Sequence, residues 1–270
     1  MPMLALTAVD RSFWQWVAYI FEKYWPMFLN GAGVTLLIAI SGTVIGFLIG
    51  LIIGVIRTIP VKANEHILLK IIRKLITFLL SAYIEVFRGT PMMVQAMVIF
   101  YGIPLTTGIH LPVLEAGIFI VSINTGAYLA EIVRGGIISI DKGQFEAAQS
   151  LGMTHTQTMF NIVLPQSIRN ILPAIGNEFV INIKDTSVLN VIGVSELYFA
   201  SKGISGNNLR YFEVFLITCV IYFIMTFTIT RILRLVEKKL AGPDSFQIHG
   251  SQTVPEVELQ LKRGRIGKGV

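Results

Sequence analysis

The residues best suited to chemistry lie in one stretch of this sequence, residues 172–194, which is otherwise apolar. Glu178, Asn182 and Asp185 follow one another at spacings of four and three residues, so a helix would carry them on one face. The same stretch supplies one ammonium and two hydroxyl groups, from Lys184, Thr186 and Ser187.

An ionised group at the centre of a bilayer costs about 2.5 to 3.5 kcal/mol on insertion scales, so these groups require an explanation. In one interpretation, the polar side chains line a water-filled path through the chain. In the other, Lys184 and Asp185 neutralise neighbouring charges and hold packed helices together. The sequence leaves both interpretations open.

A second polar stripe is predicted on the helix before this stretch. Asn124, Tyr128 and Glu131 lie four and three residues apart in an apolar run, so they share one helix face. Such a face is expected to point to the interior of a bundle, which makes the three residues candidates for the same path. Glu131 also precedes Arg134 by three residues, and a simple ion pair near the helix end is the alternative.

The elements that hold these side chains are membrane helices, as the composition indicates. Apolar residues make up 53% of the 270 residues and charged residues only 14%, whereas soluble domains have about a quarter charged residues. The runs that can supply roughly 20 residues of membrane helix each are about 30–56, 75–104, 113–134, 172–194 and 212–235. We predict an all-α polytopic membrane protein with a five-span domain over residues 30–240.

The distribution of lysine and arginine predicts the orientation of these spans. The segments on one side contain sixteen Lys and Arg, and those on the other side contain four. The basic segments are 57–74, which includes Lys62, 134–171 and 231–270, and the others are 1–29, 105–112 and 195–211. Because basic loops stay in the cytoplasm, we expect the C-terminus inside and the N-terminus outside. This asymmetry accounts for the net charge of +6 without a nucleic-acid partner.

Two terminal segments flank the five-span domain. Residues 1–29 carry aromatic side chains at interfacial spacing and are expected to lie along the outer membrane surface. Residues 241–270 form a basic tail that is expected in the cytoplasm. Its cations either contact anionic lipid or remain solvated.

A polar insert, about residues 141–164, separates the third and fourth runs. Its expected helix starts are two capping boxes, Asp141 with Gln144 and Thr154 with Gln157. Gly152 lies where the first short helix would end, and Pro165 is expected to end the second. The predicted unit of helix, turn and helix is a docking surface for a soluble partner or, alternatively, an amphipathic hairpin on the surface.

Glycine recurs every four residues in the first run, at Gly42, Gly46, Gly50 and Gly54. Small residues on one helix face allow close approach of a second membrane helix. That helix belongs either to the same chain or to another subunit.

The second run contains Arg88, Gly89, Thr90 and Pro91 near its middle. Proline removes a backbone hydrogen bond and glycine lowers helix stability, so we predict a kink here with a free carbonyl in the preceding turn.

Several kinds of active site are not indicated. The sequence lacks a glycine-rich phosphate loop followed by Lys and Ser or Thr, and its single cysteine, Cys219, gives no disulfide framework. The histidines show no metal-ligand spacing; they are His66, His110, His155 and His249. We therefore expect no catalytic residue, no metal and no cofactor in this chain, which is not an enzyme by itself.

The insert also carries a recognisable tract. Residues 146–148, Gly152 and residues 162–165 read Glu-Ala-Ala, Gly and Ile-Val-Leu-Pro. In order and spacing they resemble the EAA motif of permease subunits in bacterial ABC importers. The resemblance covers residues 25–240. In detail, the sequence is similar to the polar amino acid branch of these permeases, which transport histidine, glutamine, glutamate, arginine or cystine. The tracts that carry this detail are 85–95, 127–137 and 184–194.

This resemblance implies a MetI-like ABC permease fold in the bacterial inner membrane and ATP-driven import of an amino acid. The implied ATPase-coupling residues are Glu146, Ala147, Ala148, Gly152, Ile162, Leu164 and Pro165. The implied partners are two copies of an ABC ATPase that holds ATP and Mg, a second permease as homodimer or sister subunit, and an extracytoplasmic amino acid binding protein. An amino acid carries both an anion and a cation, so Lys184 and Asp185 together could pair with both.

Two other classes of function are weighed against this one. An ion-coupled secondary amino acid transporter or a channel would act without an ATPase, but the five runs show no evident inverted repeat. A membrane scaffold that only recruits an ATPase would have no use for the polar stretch at 172–194.

Overall fold

The computed structural model describes residues 11–59 and 66–240, and the regular secondary structure of this part is entirely helical. It contains nine α-helices, a π-helical turn over Met159–Val163 and a 3-10 segment over Thr186–Ile192. The helices are α1 (Phe13–Ile56), α2 (Ile67–Gly89), α3 (Met92–Thr107), α4 (Val113–Ile138), α5 (Lys142–Ser150), α6 (His155–Thr158), α7 (Leu164–Asp185), α8 (Leu197–Asn208) and α9 (Tyr211–Leu240). The predicted all-α class is confirmed.

Helix α1 is much longer than a bilayer is thick. Its 44 residues extend over about 66 Å at 1.5 Å per residue, whereas a hydrocarbon core measures about 30 Å. Residues 13–29, which the sequence analysis separates from the first run, are the N-terminal part of this one helix, and Pro26 lies inside it. The interfacial position of this part stays a prediction. Residues 1–10, Lys62 and the tail 241–270 lie outside the described residues.

Three helices of the described ranges are long and apolar enough to cross a membrane, namely α1, α4 and α9. The run 75–104 is divided between α2 and α3, and the run 172–194 consists of the second part of α7 and the 3-10 segment. Charged and amide side chains lower the mean hydropathy of α7, so length and composition alone do not identify it as a membrane span. The division of residues 30–240 into five spans stays a prediction.

The central contact of the bundle joins α1 to α4. Each glycine of the stripe on α1 faces a residue of α4, in the pairs Gly42 with Val121, Gly46 with Thr125, Gly50 with Leu129 and Gly54 with Val133. A Cβ atom on Gly50 would lie 2.7 Å from the Cβ of Leu129 and 2.8 Å from the backbone nitrogen of Ala130. Residue numbers rise together along both helices, so the helices are parallel. The glycine stripe therefore packs within the chain.

Buried polar groups fix helix α8 to the bundle. The fully buried carboxylate of Glu196 accepts hydrogen bonds from the N–H of Tyr198 at 2.8 Å, the N–H of Phe199 at 2.7 Å and the hydroxyl of Tyr222 at 3.0 Å. Burial raises the pKa of the Glu196 carboxyl, and these hydrogen bonds oppose the rise. Because Tyr222 belongs to α9, Glu196 links the start of α8 to that helix.

We expect Gly50→Ala to destabilise the protein by about 1 to 3 kcal/mol, because the new methyl group overlaps Leu129 and the backbone of α4. Thermal unfolding of the purified protein in detergent measures the change as a lower Tm. Gly33→Ala on the same helix is the control, since no atom lies within 4 Å of its added Cβ and alanine favours a helix over glycine. Equal Tm values for the two variants would show that the close contact is not stabilising.

Candidate functional site

The first part of the polar insert is α5, which begins at an N-cap and ends at a glycine turn. The carboxylate of Asp141 accepts a hydrogen bond from the N–H of Gly143 at 2.7 Å. The expected reciprocal bond would run from the N–H of Asp141 to the side chain of Gln144, but α5 has no such capping box. The side-chain oxygen of Gln144 instead accepts from the side-chain amide of Gln166 at 3.3 Å. The insert is thereby joined to the first turn of α7.

Gly152 ends α5 in a left-handed conformation with φ of +73°. Its N–H donates to the carbonyl of Gln149 at 2.9 Å, and the N–H of Met153 donates to the carbonyl of Ala148 at 3.1 Å. These two bonds form a Schellman motif, in which glycine is favoured because it has no Cβ atom to clash. The conformation of Gly152 therefore sets the angle at which the chain leaves α5.

The second part of the insert does not stop before Pro165. Thr154 and Gln157 form the expected capping box, with the N–H of Thr154 donating to the side-chain oxygen of Gln157 at 2.8 Å. From there α6 continues through the π-helical turn directly into α7. Pro165 lies in the first turn of α7, directly after the π-helical turn, and does not end the helix there. The insert and the polar stretch of α7 are thus joined by continuous helical backbone.

One face of the insert packs on the bundle. Met159 and Val163 are buried in an apolar cluster with residues of α4, of α7 and of the turn after α4, and Phe145 packs against it. The cluster partners are Val133, Ile137, Ile140, Leu164 and Ile171. Ala148 is fully buried and Ile162 is half-buried, so these two motif residues and Leu164 serve packing within the chain.

The other face of the insert is exposed. Glu146 and Ala147 lie there, as do Gly152 and Pro165. Two large apolar residues that the sequence analysis did not select share this exposure, because Leu151 is 80% and Phe160 is 66% accessible. The available signal in the sequence was that both are large apolar residues within a polar insert, close to the motif residues. Large apolar side chains that are exposed in the same short insert as an exposed carboxylate are suited to contact with another protein.

Asn182 of the predicted path lies in the core. Its amide nitrogen donates to the hydroxyl of Thr43 at 2.8 Å, and its amide oxygen accepts from the hydroxyl of Thr125 at 3.2 Å. Asn182 is 4% exposed, and these bonds connect α7 to α1 and α4. Thr186 is also buried, and its hydroxyl donates to the carbonyl of Ile183 at 3.0 Å. In the structure both side chains are satisfied by the chain itself.

Glu131 takes part in an ion-pair group. Its carboxylate contacts the guanidinium of Arg57 and lies 3.1 Å from that of Arg134. The pair with Arg134 is the alternative that the spacing left open, and Arg57 is a partner from the end of α1 that no local pattern indicates. This group joins α1 to α4 just before the insert begins.

Asn124 and the predicted kink belong to one hydrogen-bonded unit. The chain breaks fully between α2 and α3, with Thr90 extended at φ of −125° and ψ of 149°. The free carbonyl of Phe87 accepts from the amide of Gln95 at 2.9 Å and from that of Asn124 at 3.3 Å. Asn124 also donates to Gln95 at 2.8 Å. The sequence analysis missed Gln95, which satisfies the backbone groups that the break releases.

Arg88 at this break interacts with an aromatic ring of α4 and, at longer range, with a carboxylate of α7. The guanidinium of Arg88 lies 5.5 Å from the ring centroid of Tyr128, a distance at which a cation and an aromatic face attract. Glu178 lies within electrostatic range of both Arg88 and Asp185. We call Arg88, Tyr128, Glu178 and Asp185 the polar cluster. It combines one cation and two carboxylates at positions drawn from three helices.

Lys184 is placed elsewhere. Its side chain lines a cleft between α7 and α9. Its charge also interacts with the carboxylate of Asp185. Ser187 is half-buried in the 3-10 segment, where its carbonyl accepts from Asn190 at 2.7 Å. Gly89 and Pro91 flank the extended Thr90 at the helix break. Within residues 11–59 and 66–240, no three side chains of the His, Cys, Asp or Glu type come together as metal ligands.

Comparisons with known proteins agree on one family. Residues 67–242 match the family described as the inner membrane component of binding-protein-dependent transport systems. The glutamine transport system permease protein GlnP of Escherichia coli strain K12 is 37% identical over 216 residues, which is 80% of this chain and 93% of that protein.

One solved structure supports the same assignment, and a second shows the same fold. An amino acid ABC transporter determined with histidines is 39% identical, with a TM-score of 0.72 over 85% of this chain and 99% of that one. The inward-facing MetNI methionine ABC transporter is 19% identical, with a TM-score of 0.69 over 82% of this chain and 99% of that one, and it shows the shared fold. The chain therefore belongs to the family of inner membrane components of binding-protein-dependent transport systems.

Proposed function

We propose that this chain is the transmembrane subunit of an ATP-driven importer of polar amino acids. The observation that carries the proposal is the insert, which packs one face on the bundle and leaves Glu146, Ala147, Leu151 and Phe160 exposed. If transport is driven by ATP, a chain with no phosphate loop of its own depends on a partner for ATP hydrolysis, and this face is suited to contact one. The substrate class follows from GlnP and from the transporter determined with histidines.

The proposed assembly contains three kinds of partner. Two ABC ATPase copies hold ATP and Mg and contact the inserts of two permease chains, either identical or sister subunits. An extracytoplasmic binding protein delivers the amino acid. The charge distribution supports an orientation with the insert and the C-terminus in the cytoplasm and the N-terminus outside.

The polar cluster is the proposed substrate-contacting part of the path. Its carboxylates at Glu178 and Asp185 match the ammonium of an amino acid, and Arg88 matches the carboxylate. Asn182, Thr186 and Glu131 are assigned to holding the helices, because their bonds lie within the chain. Lys184 is left out of the proposed contacts since its side chain lines the cleft with α9.

In the proposed mechanism, closure of the ATPase dimer moves the insert and changes which side of the membrane the path faces. α7 runs unbroken from Leu164 to Asp185, and the π-helical turn connects it to α6. A displacement of the insert is therefore transmitted to the polar cluster by one helix. Closing and opening around a fixed site would give alternating access.

Uptake of labelled amino acids into vesicles tests the proposed function. With the ATPase and binding protein present, we expect uptake that requires ATP on the ATPase side and survives a proton uncoupler. A panel of polar amino acids then identifies the substrate. Uptake by this chain alone that collapses with the uncoupler would instead establish a secondary carrier.

Gly152→Val is expected to lower ATP-driven uptake strongly while membrane insertion stays normal. A β-branched residue is disfavoured in the left-handed conformation by about 1 to 2 kcal/mol, so the turn after α5 would rearrange. Gly152→Asn should retain more activity, because asparagine visits this conformation more readily. Uptake per inserted molecule is the measurement, with Gly135→Val, in open space within α4, as control. Normal uptake in Gly152→Val would contradict a role for the turn in coupling.

Glu178→Gln and Asp185→Asn are expected to assemble with the ATPase yet lose about tenfold or more of substrate-stimulated transport, because each removes a charged hydrogen-bonding group. Co-purification reports assembly, and ATP hydrolysis with the loaded binding protein reports coupling. Glu115→Gln, an exposed acid at the start of α4, is the matched control. Loss of assembly in the two cluster variants would favour a role in holding subunits together.

A further inference from the structure

A cleft of about 240 Å³ lies between α7 and α9 and has no part in the proposed transport mechanism. Its walls combine three cations, two hydroxyls and three apolar side chains. The lining residues are Val180, Lys184, Phe223, Thr226, Phe227, Thr230, Arg231 and Arg234. Only 14% of the residues in this chain are charged, so three cations around one cleft beside an apolar helix surface are a marked local concentration of charge.

In the described ranges 11–59 and 66–240, no carboxylate lies at ion-pair distance from the cations of this cleft, Lys184, Arg231 and Arg234. None of the residues that line it is acidic. Asp185, the neighbour of Lys184 in sequence, interacts with that cation only at longer range. Arg231 is instead positioned over the ring of Phe227, at 4.8 Å from its centroid. Cations without an ion-pair partner within a membrane domain favour an anion from outside the chain.

The hydroxyls of the cleft indicate which groups would contact that anion. Thr226 donates to the carbonyl of Tyr222 at 2.9 Å, and Thr230 donates to the carbonyl of Thr226 at 2.7 Å. Their protons are therefore used within α9. The available donors are guanidinium and ammonium groups, which suit an anion with several acceptor oxygens, such as a phosphate.

The position of the cleft favours a lipid as the source of this phosphate. α9 packs on α7 at Gly176, where an added Cβ atom would lie 3.2 Å from a side-chain carbon of Leu233. This contact is close to residue 235, the predicted end of the last span. Arg231 and Arg234 are near that end, and long basic side chains there reach the headgroup region. Towards the centre of the span, Phe223 and Ile224 are 64% and 56% exposed and offer an apolar surface for acyl chains.

We propose that this cleft binds an anionic phospholipid of the cytoplasmic leaflet, with its phosphate on Arg231 and Arg234 and an acyl chain along Phe223 and Phe227. Basic pockets between helices on the cytoplasmic side are suited to such headgroups. The choice of leaflet rests on the orientation proposed above. Lys184 extends the cationic wall from the α7 side.

Lipid retention tests this assignment. The complex of this chain with its ATPase is purified in mild detergent with equal amounts of phosphatidylglycerol and phosphatidylcholine, and native mass spectrometry counts the bound lipids. We expect wild type to retain phosphatidylglycerol about tenfold over phosphatidylcholine, and R231Q/R234Q to lose most of that preference. R231K/R234K preserves the charges and should keep most of it.

K238Q/K239Q is the matched control, because it removes the same charge from exposed positions of α9 outside the cleft. A preference retained in this control and lost in R231Q/R234Q supports the site. Equal loss in both variants, or no preference in wild type, overturns it. Inorganic phosphate that displaces the lipid as well as short-chain phosphatidylglycerol does would assign the cleft to free phosphate and also overturn the lipid.

Two further outcomes separate this proposal from its alternatives. If R231Q/R234Q loses a permease copy from the complex, the cleft is a contact between subunits and the proposal fails. If amino acid added alone displaces the lipid, the cleft belongs to the transport path and the proposal also fails. Retention is measured without ATP, so the result is independent of whether the chain transports amino acids.

Discussion

The backbone contact between α1 and α4 is the constraint on which the other features depend. Glycine at every fourth position removes the side chains that would hold the helices apart, so α4 residues such as Leu129 rest on the backbone of α1. The contact extends from Gly42 to Gly54 and fixes the two helices in register. A shift of one helix along the other would drive α4 side chains into α1 at several points.

That register aligns the polar groups around it. Thr43 on α1 and Thr125 on α4 are brought together, and Asn182 from α7 bonds to both. At the other end of the same contact, Arg57 meets Glu131. The position of α7, and the point at which α4 leads into the insert, therefore follow from the spacing of glycines in α1.

The polar side chains of this bundle fall into two groups: those whose hydrogen bonds are all made within the chain, and those whose charge the chain does not fully compensate. Gln95, Asn182 and Glu196 are buried and make their hydrogen bonds within the fold, so they stabilise a helix break, a helix triad and the start of α8. Buried groups left without partners would destabilise the fold, which accounts for this completeness. Charges without full compensation are found in the polar cluster and in the cleft beside α9. These two places are where we assign contacts with molecules from outside the chain.

The sequence by itself determined the helical membrane class, the insert with its turn at Gly152, and the position of a distortion near Pro91, which it predicted as a kink and which the structure shows as a full break. These are consequences of composition, of local capping patterns and of the missing N–H of proline, which act over a few residues. Tertiary structure decided which polar residues serve the fold. Asn182 shares a helix face with Glu178 and Asp185, yet it bonds to Thr43, which is 139 residues away. Periodicity specifies the face of one helix, whereas the partner on that face depends on how distant helices pack.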